Sequence, residues 1–169
     1  MIKWLLERVQ YYLRVTKTIN FDSYPKTVEE VLDDNMKYRP GTDKFLEIFK
    51  NSNPWKGTLE EKQNKFRELN ENLSKVYGID TPQLVFVKKF SYGCCYFPIG
   101  NLIVMEQDKN EKYSVVTFLH EFGHALGKNE KQTCKWSINL FRRHFANSFM
   151  KLKSRGHLLV SENNSETST

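Results

Sequence analysis

After Thr58, the residues Leu59, Phe66, Leu69, Leu73 and Val76 recur at helical spacing, and the pattern stops at Gly78. That spacing gathers them on one face of a helix, which Thr58 and Glu61 open as a capping box and Gly78 closes. The same cap pattern, Thr27 followed by Glu30, predicts another helix start. Phe45, Leu46, Ile48 and Phe49 lie between Pro40-Gly41 and Pro54 and read as a short helix between turns. Residues 1–17 carry an amphipathic pattern of their own, which predicts a first helix.

The period changes after Gly78. Residues 83–88 include Leu84, Val85, Phe86 and Val87, and residues 102–105 form a second short apolar run, so both read as strands. Between them, residues 90–100 mix aromatics with Gly93, Pro98 and Gly100, which suggests a further strand pair or an irregular hairpin. From residue 113 to residue 152 the pattern is helical again, with one break expected near Gly127. Cys134, Ile138, Phe141, Phe145, Phe149 and Leu152 share one stripe there, while Trp136 and Leu140 face elsewhere. The expected fold class is α+β: a mainly helical part over 1–78, then about three strands of mixed sheet and C-terminal helices over 79–160. With no internal repeat, 1–160 reads as one domain, and the polar tail 161–169 reads as disordered.

Composition changes this picture little, and charge changes it more. The 169 residues contain three cysteines, two of them adjacent, which suits a reducing compartment and makes a cytoplasmic location the expectation. The longest stretch without a charge, residues 90–105, is too short for a bilayer span, and Lys3, Glu7, Arg8 and Arg14 interrupt the N-terminal segment where a secretory signal would be apolar. No membrane partner is expected. The net charge is +6, yet residues 128–155 alone hold eight basic side chains against the single acid Glu130. Such a segment is a solvated helix face or a track for nucleic acid or an acidic partner.

The chemistry concentrates in residues 120–130, HEFGHALGKNE. One helical turn apart, His120 and His124 fall on one face and can share a zinc ion through ring nitrogens, with Glu121 beside them as general base for a metal-activated water. Gly127 can turn the chain back, so that Glu130 becomes the preferred third ligand, its other reading being a carboxylate at the start of the next helix. His144, Cys94 and Cys95 are reserve ligands, and His157 is a more remote one. Tyr92 and Tyr96 are candidates to hydrogen-bond an oxyanion. Cys134 reads as a buried small apolar residue.

The spacing H-E-x-x-H-x-x-G-x-x-E resembles the active-site helix of zincin metallopeptidases, close to the metzincin branch with glutamate in place of its third histidine. Strands followed by this helix are also similar to the core of small bacterial peptidases that cleave phage-type repressors. No persuasive Met-turn follows, since Met150 lies within a helical pattern. The resemblance implies a zincin-like domain, a Zn²⁺ cofactor, a protein or peptide substrate, and a strand before the active-site helix, Asn101, Leu102, Ile103, Val104 and Met105, that pairs with it. Two other readings remain open: a metal-dependent nuclease that uses the basic segment, and a non-catalytic module in which zinc serves only the fold.

Overall fold

The computed structural model describes residues 24–90, 94–107 and 114–158. Five helices and one three-stranded sheet give an α+β fold: α1 (Thr42–Asn51), α2 (Leu59–Tyr77), β1 (Gln83–Val87), β2 (Cys94–Phe97), β3 (Leu102–Glu106), α3 (Val115–Ala125), α4 (Glu130–His144) and α5 (Ala146–Ser154). The helix expected over 1–17 and the tail 161–169 lie outside the described residues. No described helix is long and apolar enough to cross a membrane.

Helix α2 forms as the pattern predicts. Thr58 accepts from the Glu61 amide, and the Glu61 carboxylate accepts from the Thr58 amide at 2.6 Å, which satisfies donors the helix itself leaves open. Its buried face, Phe66, Leu69 and Leu73, meets α1 through Leu46 and Phe49, with Phe49 edge-on to Phe66 at 5.0 Å.

Residues 27–32, by contrast, do not form the helix that Thr27 and Glu30 predict. They make one turn, closed by the Val31 amide on the Val28 carbonyl, and continue as an irregular strap. Asn139 of α4 is the reason. Its side-chain amide donates to the Val31 carbonyl at 2.7 Å and its oxygen accepts from the Asp33 amide at 2.8 Å, so two backbone groups that a helix would use are bonded elsewhere.

The sheet order is β1-β3-β2, with β1 and β3 parallel and β2 antiparallel to β3. Strand β3 is buried from Leu102 to Met105 and has a partner on each side. Helix α3 packs against β2, β3 and α4.

A second break, at Phe145, divides the helical stretch after α3. Phe145 leaves the helical conformation while its amide still reaches the Phe141 carbonyl at 2.7 Å. Its ring stacks on Phe141 at 5.5 Å and is buried, and the change of direction carries Phe149 of α5 into the core. Helix α4 is buried on more than its expected stripe, since Trp136 and Leu140 are buried as well. The chain just after the strap covers that side: Tyr38 lies edge-on to Trp136, and its hydroxyl donates to the Trp136 carbonyl at 3.2 Å.

Candidate metal centre

The site begins with the end of α3. After Ala125 the chain closes in a double backbone bond, the Lys128 amide to the Gly123 carbonyl and the Gly127 amide to the His124 carbonyl. Gly127 takes the left-handed conformation this closure requires, at φ 75°. Asn129 then caps α4 in a reciprocal bond with Gln132, which makes Glu130 the first residue of that helix. Both readings of Glu130 therefore meet in one residue: it sits at a helix N-terminus, and its side chain reaches back to α3.

Three donor groups converge there. His120 Nε2 lies 3.0 Å from Glu130 Oε1, His124 Nε2 lies 3.1 Å from Glu130 Oε2, and the two Nε2 atoms are 3.2 Å apart. A tetrahedral ion with ligand distances of 2.0 to 2.1 Å requires donor separations of about 3.3–3.4 Å, and these separations, which run from the two imidazoles to different oxygens of the one carboxylate, are close to that. The buried thiol of Cys134 adds a further donor: His120, Glu130 and Cys134 each bring one ligand atom within 4.8 Å of the others, a group that could hold a metal ion. Cys134 Sγ approaches His120 at Nδ1, 3.9 Å away, on the opposite edge of the ring from His124. One ion bound through a single nitrogen of His120 therefore selects one set or the other. The Nε2 set has the shorter separations. Burial pushes the Cys134 thiol well above its ordinary pKa, and the thiol donates to Glu130 Oε1.

The remaining ring nitrogens are anchored. His124 Nδ1 lies 3.2 Å from the Lys128 carbonyl, which suits an Nδ1–H donor and points Nε2 at the centre. Burial would lower the His124 pKa, but the bond to Glu130 and the charges of Glu121 and Glu130 outweigh it and leave it raised. Burial likewise opposes ionisation of Glu130, and the two imidazoles overcome it, holding the carboxylate well below its usual range. With no metal the group behaves as two imidazoles sharing one carboxylate.

Glu121 is buried beside this cluster. Its Oε2 accepts the backbone N–H of Tyr96 in β2 at 2.6 Å. Burial raises its pKa against the lowering influence of His120 and His124.

The other candidates fall elsewhere. His144 is buried about 20 Å along α4 from Glu130 by helical rise, with Nε2 2.7 Å from Asp43 and Nδ1 2.8 Å from Glu47. His157 is exposed beyond α5. Cys94 and Cys95 lie in β2, next to different apolar clusters on its two faces. Burial pushes Cys94 well up and Cys95 up to about 12, so neither is a ready thiolate. The Tyr96 hydroxyl bonds Asn101 Oδ1 at 3.1 Å and is not part of the centre, while Tyr92 lies outside the described residues.

The pairing role expected of Asn101, Leu102, Ile103, Val104 and Met105 is not available. Strand β3 is central, with β1 bonded along one edge and β2 along the other, and Asn101 lies outside the strand with its side chain on Tyr96 and the Asp80 carbonyl. Among the described strands, the one beside α3 that has a single partner is β2.

Two contributors are absent from the residues that the sequence singles out. Gly123 lets α3 and α4 approach closely, because a Cβ there would stand 2.9 Å from the Thr133 methyl. Tyr24, in the strap, has its phenol pKa raised by burial and then by the nearby charge of Glu130. Gly123 sits inside the motif, where its lack of a side chain is a signal; nothing in the pattern around Tyr24 points to a helix so far along the chain.

The basic segment is also more compensated than its sequence suggests. Lys135 pairs with Asp33, Arg142 with Asp34, Arg143 with Asp43 and Lys153 with Glu29, so half of its eight cations face carboxylates of the strap and α1. Comparisons with protein families, with curated proteins and with solved structures found no match for this chain.

Proposed function

We propose that the protein is a zinc-dependent peptidase of the zincin type. The observation that carries this reading is the convergence of His120 and His124 on the two oxygens of Glu130, at 3.0 and 3.1 Å with the two Nε2 atoms 3.2 Å apart, and a buried second carboxylate, Glu121, beside it. Two imidazoles and one carboxylate are a catalytic zinc set, whereas structural sites are usually closed by four ligands and rich in cysteine. When bound, the ion supplies Lewis-acid polarisation of a carbonyl and a water of lowered pKa.

The chain's own residues do the rest. Glu121 is held by the Tyr96 amide through Oε2, which leaves Oε1 to accept a proton from the attacking water and return it to the departing amine. Strand β2 takes the place expected of β3: among the described strands it pairs along one edge only, it packs against α3, and its Tyr96 amide meets Glu121, so an extended peptide that pairs with it would run past Glu121. The nuclease reading draws less support, since Lys135, Arg142, Arg143 and Lys153 are engaged in ion pairs within the fold.

Glu121→Gln is the test. It is expected to retain zinc and lose hydrolysis of a denatured protein by about 10²–10⁴-fold, whereas His120→Ala and His124→Ala lose both. A glutamine variant as active as the parent removes Glu121 from the mechanism. Cleavage of structured RNA, with no cleavage of protein, overturns the peptidase reading in favour of the nuclease.

A further inference from the structure

The two imidazoles of the centre are not held alike. The His120 side chain is only 8% exposed and its ring is fixed by the core around it, whereas that of His124 is 27% exposed and depends more on its hydrogen bonds for position. Its anchor, the Lys128 carbonyl, belongs to the connection between α3 and α4, outside both helices. The first carbonyl of the α4 ladder is that of Asn129, which accepts the Thr133 amide at 2.8 Å. A side chain, that of Thr133, reaches the Lys128 carbonyl instead. Thr133 is completely buried, and its hydroxyl donates to the Lys128 oxygen at 3.3 Å. The same oxygen lies 3.2 Å from His124 Nδ1, and Thr133 Oγ1 lies 3.5 Å from that nitrogen, so the three atoms meet at one point.

We propose that Thr133 is a positioning residue of the metal centre: its hydroxyl fixes the Lys128 carbonyl, and that carbonyl holds His124 with the proton on Nδ1 and with Nε2 turned to the ion. The inference rests on the metal-site reading above and adds to it the contact that orients one ligand. A carbonyl oxygen only accepts, and it has two lone pairs, so it can take the threonine O–H and the imidazole Nδ1–H together. An Nδ1 without a proton would instead set its own lone pair against that oxygen, which disfavours the tautomer that carries its proton on Nε2. A buried hydroxyl must find a partner, and the polar atoms within its reach are the Lys128 oxygen and His124 Nδ1. The other branch of the same side chain has a separate task, since the Thr133 methyl is the group that a Cβ at position 123 would meet. Valine keeps this shape without the hydroxyl, and serine keeps the hydroxyl without the methyl.

The test compares wild type, Thr133→Val, Thr133→Ser and His124→Ala as full chains. Zinc affinity is read by competition with a chromogenic chelator, the His124 Nδ1–H proton of the zinc form by NMR through its exchange with water, and fold by thermal melting of the metal-free protein. Thr133→Val is expected to bind zinc about 10–100-fold more weakly and to exchange the Nδ1–H proton faster, with metal-free melting close to wild type. Thr133→Ser is expected to keep the affinity and the slow exchange, although its lost methyl lowers the melting temperature. Either readout unchanged in the valine variant overturns the proposal. So does an equal loss of affinity in valine and serine, which makes Thr133 a packing residue only. Should the valine variant fail to fold, Thr133→Ala against Thr133→Ser carries the same contrast. If folded wild type takes up no zinc, the metal-site reading itself fails and this inference with it. If wild type binds, His124→Ala does not, and Thr133→Val equals wild type, the metal site stands and this inference alone falls.

Discussion

Helix α4 carries a histidine–carboxylate cluster at each end, and the two are built for opposite purposes. At its N-terminus, two imidazoles from α3 converge on the single carboxylate of Glu130, one on each oxygen at 3.0 and 3.1 Å, with their Nε2 atoms 3.2 Å apart. At its C-terminus, the single imidazole of His144 lies between two carboxylates from α1, Asp43 at Nε2 and Glu47 at Nδ1. The residue types are the same, and the stoichiometry is reversed. Ring nitrogens on opposite edges of one imidazole cannot face a common ion, so Asp43 and Glu47 clamp His144 from two sides and tie α1 to α4. The first cluster brings two rings to one carboxylate; the second engages both nitrogens of one ring with separate carboxylates. What makes the first cluster a candidate metal site and the second a helix clamp is convergence, not composition.

The largest expected effects separate the clusters by function. His120→Ala, His124→Ala and Glu130→Ala each abolish stoichiometric zinc, measured by elemental analysis after dialysis. His144→Ala leaves zinc content unchanged and destabilises the fold by about 1–3 kcal/mol, through a cavity and a lost clamp. Its melting temperature falls by roughly 3–10 °C for a chain of this size. Zinc lost from the His144 variant, with the fold intact, would show that the two ends of α4 are not independent.

A smaller effect is expected from the contact that sets the distance between α3 and α4. An alanine at position 123 places its Cβ 2.9 Å from the stiff, β-branched Thr133, so α4 must shift and Glu130 with it. Gly123→Ala is expected to weaken zinc binding while His144 and its clamp are unaffected. Adding Thr133→Ser, which deletes the obstructing methyl, restores affinity in the double variant. A Gly123→Ala protein with full affinity shows that the cluster tolerates the displacement.

The asymmetry between the clusters also governs what could be read in the sequence. His120, Glu121 and His124 are fixed by one helix, and Glu130 by a glycine stop and a cap, so four residues of the centre follow from spacing within eleven positions. The α+β class and α2 follow from periodicity and a capping box in the same way. Long-range partners do not. Thr27 and Glu30 form a cap pattern as good as that of Thr58 and Glu61, and the helix fails because Asn139, more than a hundred residues later, takes up its backbone groups. Strand β3 is as apolar as an edge strand and a central strand can both be, and only pairing decides between them. The break at Phe145 carries no glycine or proline, and Tyr24 is a tyrosine in a polar turn. Each of these depends on which distant segment lands beside it, which no local period encodes.

The smallest effect expected belongs to the exposed side of the clamp, and it has a definite sign. The hydrogen bond from His144 holds the Glu47 carboxylate below its ordinary pKa, with Lys50 assisting. A carboxylate whose folded pKa is depressed adds stability that is present above its unfolded value, about 4.3, and is lost as pH falls through the folded value. Melting temperature followed from pH 6 downward is therefore expected to decline in wild type, and part of that decline disappears in Glu47→Gln, which has no charge to lose. Because Glu47 is half in water, screening keeps the difference small and added salt reduces it further. Glu130 is also depressed, but its partners are the imidazoles of the metal centre, so saturating zinc takes its contribution out of the comparison only if the ion stays bound. Melting curves of the metal-free protein with Glu47→Gln and Glu130→Gln in parallel assign the acid limb to one end of α4 or the other. An acid limb unchanged in Glu47→Gln means that the His144 clamp contributes through packing alone.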